Sequence, residues 1–297
     1  MNRICFLLFF LLMTGMIAFG QVKEETRVMV AGAKPCLTTI IQGAEPAFVE
    51  QEWKDYMTSY GKVTRVKGSK ESVVSGIHIV NVGSGDLLNA YSLAEEAVGG
   101  TKFIVWVEIG PDYLKSTDTA YTTAVKFIEN FAHKVQTDLV AIDLENQQKK
   151  LTQFESNLAK LEKQNESLQK TIVDAKAKIE QAETTDIPVN VSTQESAKAD
   201  VDAQKAVVDA AKDNPDELKV QQKQLSKLES NLTKLQRENE SLHKLVTDSN
   251  AKIKKAEMDI KTNLEEQEKA KTDIANQKIV LDAVQKKLDK MKSQKPK

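Results

Sequence analysis

From Gln147 to the C-terminus the apolar residues fall on a seven-residue frame. In the stretch from Leu225 to Met291, one set of positions recurs every seventh residue from Leu225 to Leu288 and a second from Leu228 to Met291, mostly apolar but with Asn239, Ser249, Asn263, Gln267 and Gln277 among them. These are the a and d positions of a coiled coil, the stripe that a helix buries against a partner helix. Such a stretch predicts a helix of roughly 100 Å at 1.5 Å per residue. An earlier stretch begins in the same way, with Leu151, Leu158, Asn165, Ile172 and Ile179 at a and Phe154, Leu161, Leu168, Ala175 and Ala182 at d.

The two stretches are copies of one another. Residues 147–183 align without a gap on residues 221–257, an offset of 74, with 21 identities in 37 positions. The likeness continues at an offset of 73, where AKADVDAQKAVVDAA from Ala197 matches AKTDIANQKIVLDAV from Ala270. One residue has therefore been gained or lost near Thr184. A repeat of this length argues for a repeated helical architecture rather than a second globule. The first copy meets Pro188, which lacks a backbone donor and clashes with the preceding turn. Ser192 and Glu195 offer a capping box after it, and Asn214-Pro215 offers a second stop and start. The expectation is a loop and short helix over 184–214 with two hinges, where the chain could fold back. Asn165 and Asn239 hold corresponding a positions, where a buried amide sets register at some cost in stability. A parallel dimer and an intramolecular antiparallel hairpin both fit the pattern, and a weak, partly solvated seam is the plainer reading of the two Asn.

Before the heptads the period changes. Short β-rich runs span 27–31, 37–42, 62–66, 73–82, 87–95 and 102–109, bounded by turn residues such as Lys67-Gly68-Ser69, Gly83-Ser84-Gly85-Asp86 and Val98-Gly99-Gly100. A helix starting near Pro46 sets Val49, Trp53, Met57 and Tyr60 on one face and ends at Gly61. A second helix is expected from Ser116, with Tyr121, Val125, Ile128, Phe131, Ala132 and Val135 packing on the sheet before it runs unbroken into the heptads. The fold class is α+β, a small antiparallel sheet with helices on one face, followed by a long coiled coil with a tandem duplication. Phe103 to Val107 is apolar at every position, as in a central strand.

The first twenty residues form a separate segment. Arg3, an apolar run from Ile4 to Leu12 and the small-residue site Ala18-Phe19-Gly20 are the parts of a secretory signal, with Gln21 the first mature residue. The apolar stretch falls short of the roughly 18 to 20 residues a membrane span needs. Cleavage removes Cys5 and leaves Cys36 as a lone thiol, expected to be buried. The domain boundaries that follow are 1–20 for the signal, 21–146 for the α+β domain with its junction helix, 147–220 for the first copy (broken near 184–192 and 214–215) and 221–297 for the second.

Only 5% of the 297 residues are aromatic, which suits a rod, and 42 basic residues against 43 acidic ones leave a formal charge of -1. That balance gives no electrostatic reason for a nucleic-acid partner. No metal or nucleophile motif surrounds His78, His133 or His243, and no cofactor is implied. Trp53, Tyr56 and Tyr91 are the residues that could line a ligand or partner surface, with core packing the plainer reading. Gly20-Gln21 at the signal junction and the NESLxK heptads at Asn165–Lys170 and Asn239–Lys244 give the chain its likeness to a known layout. It resembles exported bacterial envelope proteins that join a small α+β domain to a charged C-terminal coiled coil. That resemblance carries over no activity and no site.

The functional expectation is a non-enzymatic exported protein of the periplasm or cell envelope. Its coiled coil would serve oligomerisation or spacing through self-association or another envelope protein, and its N-terminal domain would dock a partner. No membrane span is expected after signal cleavage. The alternative is a ligand-binding α+β module to which the coil lends avidity.

Overall fold

The structure, a computed structural model, describes residues 21–80, 82 and 87–294. The signal segment and the Gly83–Asp86 turn expected from sequence lie outside the described residues. The chain divides into two compact units, one made of the residues up to Lys150 together with those from Gln277 onward, the other of Leu151–Asn276.

In the first unit seven strands form one antiparallel sheet: β1 (Lys23–Met29), β2 (Gly32–Gln42), β3 (Thr64–Arg65), β4 (Ser72–Ile77), β5 (Leu88–Ala97), β6 (Gly100–Ile109) and β7 (Asp112–Tyr113). Their order is β1-β2-β6-β5-β4-β3, with β7 added to the end of β6. The expected strand over 27–31 runs instead into the β1–β2 turn at Val30-Ala31. Gly32 carries the positive φ that lets the next strand start there, at 93°.

Helix α1 (Pro46–Met57) buries Val49, Trp53 and Met57. Tyr60 follows its last turn and stays 38% exposed. Helix α2 (Tyr121–Gln181) starts five residues later than the sequence suggests. Ser116 N–H donates to Glu24 Oε2 and Lys115 N–H donates to Asp118 Oδ2, so the backbone at the expected start is held in a turn. Ile128, Phe131, Ala132 and Val135 then meet α1 and one face of the sheet in a single core. Its aromatic centre is Trp53, with Phe103 and Phe131 ring centroids 5.1 and 4.9 Å away, tilted and edge-on contacts of the kind aromatic rings favour.

Strand β6 is central, and its unbroken apolar run is divided between two faces. Phe103, Val105 and Val107 join the helix-covered core, whereas Ile104 and Trp106 join Met29, Cys36 and Tyr113 on the other side. No helix is needed to close that second face, because the sheet curls toward it. Val30, just after β1, donates its N–H to both oxygens of buried Glu71, just before β4, at 3.0 and 3.2 Å. Those strands are four places apart in the sheet order, a gap of about 19 Å were the sheet flat. Arg27 on β1 likewise reaches Glu95 on β5 at 2.5 Å, and Lys102 on β6 reaches Glu25 on β1 at 2.7 Å.

Around the hairpin that leads into β6 the backbones come very close. A Cβ on Gly100 would lie 2.2 Å from the carbonyl oxygen of Ile41 and 2.9 Å from Gln42 Cα. Gly100→Ala is therefore expected to cost about 1–3 kcal/mol or more, read as a lowered midpoint in urea unfolding. An unchanged midpoint would show that β2 and β6 are not this tightly juxtaposed.

Candidate functional site: the coiled-coil seam

The heptad stripe has found its partner inside the chain. In the second unit, α2 continues to Gln181, a π-helical turn spans Ala182–Asp186, α3 covers Ile187–Ala210, and α4 starts at Pro215 on its way to Ser293. After Ala210 the chain turns through residues 211–214. Asn214 begins α4: its carbonyl accepts from Leu218 N–H at 2.9 Å, and Pro215 takes the first-turn place where no donor is missed. The two sides then run antiparallel. Gln204 Nε2 donates to the backbone carbonyl and side-chain Oε1 of Gln221, Gln194 Nε2 to Leu235 O, and Gln267 Nε2 to Leu161 O. In the first unit the same polarity holds, with Gln277 Nε2 donating to Gln147 O and Oε1 at 3.0 and 2.9 Å. Val140, Leu288 and Met291 pack nearby, and His133 Nε2 lies 3.0 Å from Met291 O, a carbonyl in the last turn of α4 that also accepts from Gln294 N–H.

Every a and d position assigned from Leu225 to Met291 is buried or half-buried. The same is true from Leu151 to Ala182. Beyond Ala182 the first copy is out of frame by one: the next a residue at the seam is Ile187, five positions on, where an unbroken heptad places it four on. The π turn lies in that gap. A turn closed by i→i+5 bonds holds one more residue than an α turn, so the single-residue offset between the copies is absorbed without the helix losing its buried face. The loop expected at 184–192 is absent for this reason, and Ser192 and Glu195 lie inside α3 rather than capping it. Pro188 follows directly on the π segment and lies inside the continuous helix without breaking it.

Asn165 and Asn239 do not pair with each other. Asn165 is buried beside Gln164, whose Oε1 receives Asn263 Nδ2 at 3.5 Å, and its own Oδ1 accepts from Gln169 Nε2 at 2.8 Å. Asn239 lies one turn past Leu235, on the level of Asn190, and its buried Oδ1 has no hydrogen-bond partner. The residue corresponding to Gln169 is His243, which accounts for the orphan: the second copy has no amide donor one turn along. Restoring it with His243→Gln should stabilise the chain by about 1 kcal/mol, or roughly 2–4 °C in Tm. A neutral or lowered Tm would show that Asn239 is not short of a donor.

The three aromatic candidates are not brought together. Trp53 and Tyr56 stand on α1 in the core, where burial pushes the Tyr56 phenol up to about 12 with Tyr60 adding to it. Tyr91 is on the opposite face of the sheet, where its hydroxyl donates to Glu108 Oε2 at 3.3 Å. Apolar space lined by Trp53, Val82, Ala90, Phe127 and Ile128 amounts to about 10 Å³, room for one water at most. Cys36 is buried, as expected of a lone thiol, with its Sγ 3.4 Å from Glu25 O. Burial, and then the Glu25 carboxylate, push this thiol up to about 11 from 9.0. The folded thiol holds its proton longer than the unfolded one, so stability is intact below pH 9 and falls as pH rises toward 11. Cys36→Ala should flatten that part of an alkaline stability curve, and an unaltered curve would mean the thiol is not desolvated.

Among the described residues no group of His, Cys, Asp and Glu is placed to hold a metal ion. No described helix is long and apolar enough to cross a membrane. No protein-family model matches the chain, and no curated protein matches it. Among solved structures it is similar to a coiled-coil segment of Smc from Pyrococcus yayanosii, at 18% identity and a TM-score of 0.45, over 58% of this chain and 71% of that one. A likeness of that size says nothing of this chain's role.

Proposed function

We propose that the chain is a non-enzymatic structural protein, exported to the cell envelope, in which the antiparallel coiled coil acts as a spacer and the α+β domain docks a partner. The observation that carries this reading is the use of the seam. The a and d residues of the two copies face each other within one chain, through contacts such as Gln204 to Gln221 and Gln194 to Leu235, and the last of them, Leu288 and Met291, pack against Val140 just before the first copy. A coil whose apolar stripe is already paired serves distance better than it serves oligomerisation. The exported location rests on the Arg3, Ile4–Leu12 and Ala18–Gly20 pattern. The ligand-binding alternative would need a site away from Trp53, where about 10 Å³ is open.

Light scattering of the mature chain should give a monomer. Fractionation of expressing cells with N-terminal sequencing should give a chain outside the cytoplasm starting at Gln21. An obligate oligomer would overturn the spacer reading, and a cytoplasmic chain retaining Met1 would overturn export.

A further inference from the structure

Two glutamine contacts across the seam occur twice, once for each copy, with the copies exchanged. Gln194 and Gln267 correspond at the offset of 73, and Leu235 and Leu161 at the offset of 74. Gln194 Nε2 donates to Leu235 O, and Gln267 Nε2 donates to Leu161 O. Each of these glutamines also donates to the Asn one turn before it, Asn190 at 2.6 Å and Asn263 at 2.7 Å, and those Asn correspond too. Gln204 and Gln277 are counterparts, as are Gln221 and Gln147. Both glutamines reach the backbone and the side-chain oxygen of their partner, at 3.3 and 2.8 Å in one case and 3.0 and 2.9 Å in the other. Two sets of contacts across the seam, and the Asn–Gln bond within the helix beside one of them, thus map onto themselves when first and second copy trade places. The first half of each copy binds the second half of the other.

That is the pattern of an isologous interface, in which residue i meets j and j meets i through a two-fold relation. We infer that the seam is self-complementary: the partner it recognises is another copy of the repeat, tied here by the turn at 211–214, and a second molecule of this chain can supply it by exchanging α4. The inference concerns the seam alone and holds whether or not the chain is exported.

The turn itself gives the decisive variant. Ala211 is the last buried d residue of the first copy and Leu218 the first a residue of the second, seven positions apart. Removing Lys212, Asp213 and Asn214 and changing Pro215→Ala leaves them four apart, which is one unbroken heptad frame. No hairpin can form in this chain, so light scattering should give a discrete antiparallel dimer with the helicity of the parent. A cysteine pair at Leu161 and Gln267, in a Cys36→Ala background, should then cross-link between molecules, whereas in the parent it cross-links within one. A monomer, an unfolded chain or an ill-defined aggregate overturns the inference.

A second variant keeps the full hairpin and its turn. Residues 262–277 are replaced by the chain's own residues 189–204, their counterparts, and in a control by residues 190–205, one position out of frame. The first chain should remain monomeric and melt within a few degrees of the parent, and the control should melt well below it. If both lose stability alike, the two halves are not interchangeable and the two-fold relation fails. A monomeric parent with a dimeric deletion variant supports the spacer reading and this inference together. An oligomeric parent counts against the spacer reading alone.

Discussion

An apolar stripe along a helix in water must be covered, and the second half of this chain is organised by how that cover is found. The stripe on α4 is matched by a stripe of the same origin on α2 and α3, running the other way, and the glutamines and asparagines set into it reach the facing backbone instead of facing water. Leu and Ile supply the burial, while the Gln side chains fix which turn of one helix stands opposite which turn of the other. A slip by a single residue would turn the stripe away from its cover and leave those amides facing nothing.

The sheet solves a related problem by another means. One of its faces is covered by α1 and α2, and the other has no helix. By curling, the sheet turns that second face inward, and Trp106 and Ile104 are fully buried among Met29, Cys36 and Tyr113. The charged pair at the rim, Arg27 with Glu95, joins strands three places apart in the sheet order. Glu71 completes the arrangement by accepting the free N–H of Val30.

Much of this was legible in the sequence because it depends on period. The heptad frame of the second copy, the duplication, the antiparallel strands and the Asn214-Pro215 turn each follow from spacings that only one kind of element satisfies. What was not legible depended on context. Pro188 breaks a helix when it falls on an α turn, and here it falls just after a π turn whose presence is signalled only by the one-residue mismatch between copies. Ser116 is a sound capping residue, but Glu24, 92 positions upstream, claims its backbone N–H. The cover over Trp106 could not be read from β6 itself, since it is supplied by the curvature of the strands around it. As for the candidate site, Gln267 and Gln277 already fall on the heptad stripe in the sequence beside Asn165 and Asn239, whereas the facing carbonyls that Gln267 and Gln277 reach, those of Leu161 and Gln147, cannot be read from spacing.

The pair Gln169 and His243 has a further meaning. Two separate molecules built from one gene must accept each change twice, once on either side of their shared axis. Two copies joined in one chain carry it once. Asn165 has an amide neighbour that Asn239 lacks, so the two copies of the contact can differ one side at a time.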